Sequence, residues 1–187
     1  MEKKIILASK SPRRIELLTK AGFDVVVKPA DINEVVDPEL KPHEVVMSLA
    51  KQKAYAVRDS INPGSDIIIA ADTIVYLDEI IGKPIDRADA ERILMCLSGK
   101  GHRVYSGVAI LSPNAEVIFS ERTDVFFKSY TVEELQEYLD TDEPYDKAGA
   151  YAIQGYFGRF IDHIEGDYDN VMGLPVNSLI RYLKPYL

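Results

Sequence analysis

The stretch Ile67–Asp78, IIIAADTIVYLD, decides how this chain folds. Ile67, Ile68, Ile69, Ile74 and Val75 are β-branched and suit a pleated strand buried on both faces. Pro63-Gly64 marks a turn ahead of it. Asp72 is the exception, because a carboxylate inside such a run is costly to bury without a cation or hydrogen bonds. That makes Asp72 a candidate for metal binding or base chemistry. A strand-end aspartate facing water or capping a turn is the plainer alternative.

Around that strand, the composition predicts an ordinary folded protein. The chain has 187 residues, 47% hydrophobic and 28% charged, enough for a single domain over residues 1–187 with a sizeable core. Its formal net charge is −8, which argues against non-specific binding to a nucleic acid polymer or an anionic membrane. An anionic ligand would need a local basic pocket or a divalent metal. The single cysteine, Cys96, excludes an internal disulfide and a thiolate metal cluster, and its helical pattern predicts a small core residue. No signal-like segment stands out, and no apolar run reaches the ~18–20 residues that span a bilayer. A soluble, cytoplasmic protein is expected. A homodimer is compatible with the sequence, in which no coiled-coil or other dimer signature stands out.

On the N-terminal side of the strand, Lys4–Ala8 reads as a short strand, and Ser9-Lys10-Ser11-Pro12 turns into a helix with Ser11 as N-cap and Pro12 first. Gly22 ends that helix, and Phe23–Val27 is a second strand. The turn carries Ser9, Ser11, Arg13 and Arg14. Two arginines in a first helical turn oppose the helix dipole, which prefers acids there. Their placement makes sense if backbone N–H groups, serine hydroxyls and a guanidinium hold a phosphate; otherwise they are solvated surface. Lys28–Leu40 is an acidic loop with Asp31, Glu34, Asp37 and Glu39, and Pro42–Ser60 a helix carrying Lys51 and Lys53.

On the C-terminal side, Ile80-Ile81 returns as a short strand, and the Gly82-Lys83-Pro84 turn presents Lys83. Asp86–Leu97 reads as a helix capped by Asp86, and Val104–Leu111 with Glu116–Phe127 as a long antiparallel pair. His102, beside a glycine-rich turn, reads as a surface residue. Thr131–Leu139 is a helix with a Thr131–Glu134 capping box. Glu143–Gly155 has no clear period; its small residues let backbone approach a ligand, and the Gln154 amide offers a donor and an acceptor suited to a base edge. Phe157–Ile164 reads as a strand, Glu165–Asn170 as an acidic turn and Val176–Leu183 as the last helix. The whole is one α/β domain with a mixed sheet. Walker A, G-x-G-x-x-G, H-E-x-x-H and G-x-S-x-G motifs are absent, and His43, His102 and His163 have no nucleophile elbow to serve.

Seven segments together resemble one family, the Maf proteins, which are nucleoside triphosphate pyrophosphatases. They are LASKSPRRIELL (Leu7–Leu18), LAKQKA (Leu49–Ala54), AADTIV (Ala70–Val75), GKP (Gly82–Pro84), LSGKGHRVYSGVAI (Leu97–Ile110), EPYDKAGAYAIQG (Glu143–Gly155) and GDYDNVMGLP (Gly166–Pro175). They follow family order over nearly the whole chain. The Glu143–Gly155 block resembles the branch acting on dTTP and UTP rather than on 7-methyl-GTP. Ala152 stands where glycine is common, and Asp169-Asn170 replaces more usual residues.

The resemblance implies an elongated mixed sheet flanked by helices around a central cleft, like the inosine triphosphate pyrophosphatases. It implies hydrolysis of dTTP and UTP, and of modified pyrimidine nucleotides, to the monophosphate and pyrophosphate. Asp72 would be the proton acceptor, and Arg13, Thr73 and Gln154 would set specificity. Glu34, Lys53 and Lys83 fall at polar pocket positions, with Ser9, Arg13, Lys53 and Lys83 on the triphosphate. A divalent cation, Mg or Mn, is expected on Asp72 and Glu34, with Glu34 as alternative base. A nucleotide-binding regulator of cell division, with hydrolysis incidental, is the rival reading. If Asp72 and Thr73 both line one pocket, the strand must end or bulge there, because adjacent strand residues face opposite ways.

Overall fold

The computed structural model describes residues 3–61 and 63–187. Strand β1 (Ile5–Leu7) pairs in parallel with β2 (Val25–Val27) on one side and β3 (Ile67–Leu77) on the other. Strand β4 (Glu79–Ile81) returns antiparallel to the end of β3. The sheet continues through β5 (Gly101–Ser112) and β6 (Ala115–Phe127), joined by a tight turn, to β7 (Ile161–Glu165), antiparallel to β6. The order is β2-β1-β3-β5-β6-β7, with β4 on β3. Six α-helices accompany it among the described residues: α1 (Pro12–Lys20), α2 (Pro42–Ser60), α3 (Arg87–Leu97), α4 (Val132–Leu139), α5 (Tyr168–Met172) and α6 (Val176–Leu183). The expected α/β class with a mixed, helix-flanked sheet is the one observed. No helix among the described residues is long and apolar enough to cross a membrane.

The chain gathers into two compact units. One comprises Met1–Thr73, Ser106–Glu121 and Gly173–Leu187; the other Ile74–Tyr105 and Arg122–Met172. In the first, a core of Ile6, Ala8, Ala50, Ala54, Val57, Ile68, Ala70, Ala109 and Leu111 sits between α2 and one sheet face. Alternation explains it: Ile68 and Ala70 point to α2, whose buried stripe recurs at helical spacing. Gly107 lets that helix lie close. A Cβ there would stand 2.2 Å from the carbonyl oxygen of Val46. At α1, Pro12 opens the helix as expected, but the Ser11 side chain makes no capping bond; its N–H donates instead to Ser9 Oγ at 3.2 Å.

The second unit is built on Val75, Leu94, Leu97, Val104, Val125, Phe127, Leu135, Tyr138, Tyr151 and Phe157 among others. Asp86 caps α3 by accepting from the Asp89 N–H at 2.8 Å. The capping box of α4 forms as read, Thr131 N–H donating to Glu134 Oε2 at 2.8 Å. Three expectations fail here. Residues 157–160 are part of a 3-10 helix, Tyr156–Phe160, and only Ile161–Glu165 is strand. Phe157 and Phe160 are three apart, so a 3-10 turn puts both on one side, in the aromatic core, where strand alternation would separate them. The acidic turn ends at Asp167, whose Oδ1 accepts from the N–H groups of Asp169 and Asn170 and starts α5. Cys96 is exposed, because Ala90, Ile93, Leu94 and Leu97 take the buried face of α3 and Cys96 follows Arg92 outward.

His102 is the fourth correction: it is 2% exposed, not a surface residue. Burial pushes its pKa down to about 4 from 6.5, with Asp124 pulling the other way. The folded-state pKa is depressed, so the neutral ring is compatible with the fold above pH 6.5. Below that, the unfolded chain takes up a proton that the folded one refuses. Stability is therefore expected to fall by up to about 3 kcal/mol as the pH drops from 6.5 to 4. Thermal midpoints at neutral pH and near pH 4.5 measure this. The drop should be smaller in His102→Gln, and an equal drop in both proteins would refute the assignment to His102.

Candidate functional site

Asp72 lies next on the row Ile68, Ala70, Asp72 that faces α2. The helix answers it with Lys53, which stands three residues from Ala50 and four from Val57 and so points with the buried stripe. Lys53 Nζ lies 2.5 Å from Asp72 Oδ1 and 2.8 Å from Glu34 Oε1. The Lys53 and Asp72 side chains keep 16% and 13% of their surface, whereas that of Glu34 keeps 45%. A buried carboxylate is thus compensated by an ammonium, and the pair is open on the Glu34 side. Gln52 braces the Glu34 loop: its amide donates to the Val35 carbonyl at 2.7 Å and accepts from the Val35 N–H at 3.1 Å.

Strand β3 runs unbroken from Ile67 to Leu77, so Thr73 faces away from Asp72. Its hydroxyl meets a different set of groups. Arg14 Nη2 donates to Thr73 Oγ1 at 3.1 Å, Ser106 Oγ lies 2.8 Å away, and the Gly173 carbonyl accepts at 3.3 Å. One hydroxyl donor and two acceptor positions are then all engaged with protein. The other guanidinium bonds of Arg14 go to the Gly173 carbonyl, from Nε at 2.8 Å, and to Ser9 Oγ, from Nη1 at 3.3 Å. Arg14 therefore clamps three separate stretches of chain with a rigid fork. Burial pulls its pKa below the usual arginine value; Asp72 raises it, Arg13 lowers it further and Glu34 raises it.

Within the first unit the structure thus forms two bonded sets, Glu34, Lys53 and Asp72 in one and Ser9 and Thr73, joined through Arg14, in the other. Arg13 is half-buried on the first turn of α1. Arg14, Gln52 and Ser106 are additions. Helical phase could have found Arg14, since Leu17 and Leu18, its i+3 and i+4 neighbours, are the buried residues of α1. Lys83 and Gln154 belong to the second unit. Lys83 is exposed on the turn after β4, and Gln154 is exposed on a turn before the 3-10 helix at Tyr156.

No group of three or more His, Cys, Asp or Glu among the described residues is arranged to hold a metal ion. Asp72 and Glu34 do converge on one point, at Lys53 Nζ. Two carboxylates suit a hard divalent cation whose other ligands are water and phosphate oxygens. Asp72 and Glu34 are the residues that would hold such a cation, and here both carboxylates pair with the Lys53 ammonium.

A family model described as Maf-like protein matches residues 4–186. This chain belongs to the Maf family. It is 49% identical to the dTTP/UTP pyrophosphatase of Bacillus cereus, over 98% of this chain and 90% of that protein. It is 48% identical to the dTTP/UTP pyrophosphatase of Bacillus anthracis, over 98% of this chain and 96% of that one. Among solved structures, the Staphylococcus aureus Ham1 protein aligns over 99% of the Maf chain and 100% of its own, with a TM-score of 0.58 and 14% identity. That likeness concerns the fold alone.

Proposed function

We propose that this protein hydrolyses dTTP and UTP to the nucleoside monophosphate and pyrophosphate, clearing these and modified pyrimidine nucleotides in the cytoplasm. The observation that carries the chemistry is the Asp72–Lys53–Glu34 cluster beside the Arg14 clamp. The names of the relatives at 48–49% identity support the substrates. Hydrolysis joins a water oxygen to the α-phosphorus and breaks the bond from that phosphorus to the α,β-bridging oxygen. Asp72 accepts the proton of the attacking water, and pyrophosphate leaves with the electron pair.

Lys53 orients Asp72 and offers its ammonium to a phosphate oxygen. Ser9, Arg13 and Lys83 bind the triphosphate, so an acidic protein meets a polyanion with local positive charge. A divalent cation held by Glu34 and Asp72 would neutralise phosphate charge and acidify bound water. Gln154 reads the pyrimidine edge. Thr73, its hydroxyl engaged, acts on selection through the Arg14 clamp and the Gly173 backbone.

A panel of nucleoside triphosphates, assayed for pyrophosphate with Mg²⁺ or Mn²⁺, tests the reading. The expected result is turnover of dTTP and UTP ahead of purine nucleotides and dCTP. A preference for GTP-type substrates would overturn the branch, and tight binding with no turnover would favour the regulatory reading.

A further inference from the structure

The Gly149–Gly155 segment is anchored by three hydrogen bonds, all inside the second unit. The Gly149 N–H donates to the Gly82 carbonyl at 3.1 Å, which ties the segment to the turn that presents Lys83. The Tyr138 hydroxyl donates to the Ala150 carbonyl at 3.0 Å. Tyr151 Oη lies 2.7 Å from His102 Nε2. Gly155 is backed by the Glu143 carboxylate, 1.8 Å from where a Cβ would stand. Between the first two anchors Ala150 takes φ 60°, a left-handed conformation that persists only where the surroundings over-determine it.

The histidine anchor differs from the rest. His102 is buried edge-on to Phe127, ring centroids 4.7 Å apart, and its Nδ1 has no hydrogen-bond partner among the described residues. As core filling, an apolar side chain would do better, because it would strand no polar nitrogen. What the imidazole adds is a directed bond. Burial pushes the Tyr151 pKa up and the His102 pKa down, so a neutral phenol and a neutral imidazole share one proton-donating bond at physiological pH.

We infer that His102 is a positioning residue for substrate selection, which holds Tyr151 and thereby the Gly149–Gly155 segment in the one arrangement that presents the Gln154 amide. This rests on the reading of Gln154 as the group that meets the base. Tyr151→Phe keeps the ring and removes the bond. His102→Leu removes it from the other side. His102→Gln keeps a polar atom near the Nε2 position. Steady-state kinetics on dTTP, UTP and dCTP, with thermal midpoints for every variant, separate selection from stability.

Tyr151→Phe and His102→Leu should each raise KM for dTTP and UTP about tenfold with kcat nearly unchanged, the signature of a misplaced binding group. Both should lose preference over dCTP. His102→Gln should restore most of it, and the double variant should be no worse than either single one. Unchanged KM and preference in Tyr151→Phe would overturn the inference, as would losses that fall equally on all three nucleotides and follow the thermal midpoint. The unaltered protein on the same panel tests the pyrimidine reading separately. If it prefers another triphosphate, the variants are compared on that one; if it turns over none, equilibrium binding of the panel gives the comparison.

Discussion

Replacing Asp72 with asparagine should lower kcat by roughly 10²–10⁴-fold while nucleotide binding and the fold persist, the loss expected when a general base is removed. Asparagine matches the aspartate in shape and can still accept a bond from Lys53, so the 2.5 Å contact has a neutral substitute. What disappears is the basic oxygen. Lys53 keeps Glu34 at 2.8 Å as a counter-charge, which limits the penalty of an ammonium with one partner fewer. Single-turnover measurements with dTTP, beside a binding isotherm, separate the two effects. Near-normal turnover by the variant would transfer the base role to Glu34, the other carboxylate on Lys53. A large fall in affinity with kcat intact would instead make Asp72 a binding residue.

Much of this neighbourhood was legible because it follows from two periods. The β-branched run at Ile67 and the helical stripe of Pro42–Ser60 gave strand and helix, and Pro42–Ser60 and Val176–Leu183 match the observed bounds. Once α2 is known to cover the Ile68–Ala70–Asp72 row, the meeting of Asp72 with a lysine on its buried stripe follows. What escaped was long-range. That Arg14 rather than Arg13 is the clamp depends on the Gly173 carbonyl, 159 residues away. His102 read as surface because a strand start beside glycines carries no local sign of the aromatic residues that bury it. The Phe157–Phe160 spacing was readable as a 3-10 turn, but apolar content drew it towards strand.

Gly107→Ala should be the most damaging single methyl in the first unit. The added carbon would stand 2.2 Å from the Val46 oxygen, 2.3 Å from the Val46 carbonyl carbon and 2.6 Å from the Met47 nitrogen. All three are backbone atoms of one helix, so no rotamer relieves the clash; α2 must lift from β5 or β5 must bend. Overpacking of this kind costs on the order of 3 kcal/mol, which for a chain of this size lowers the thermal midpoint by roughly 6–12 °C. Gly155→Ala provides the contrast. Its Cβ would come nearer still, 1.8 Å from Glu143 Oε1, but that atom ends a flexible side chain and can swing aside. The closer contact should therefore be the milder one in stability. Gly107→Ala also reaches the chemistry, because the helix that moves carries Lys53. Its kcat/KM for dTTP should fall about tenfold or more at temperatures where the protein is still folded, since small displacements of catalytic groups are amplified in rate. A lower midpoint with unchanged kcat/KM would show that α2 yields near Val46 without disturbing Lys53. An unchanged midpoint would mean that the approach of α2 to Gly107 is looser than 2.2 Å requires.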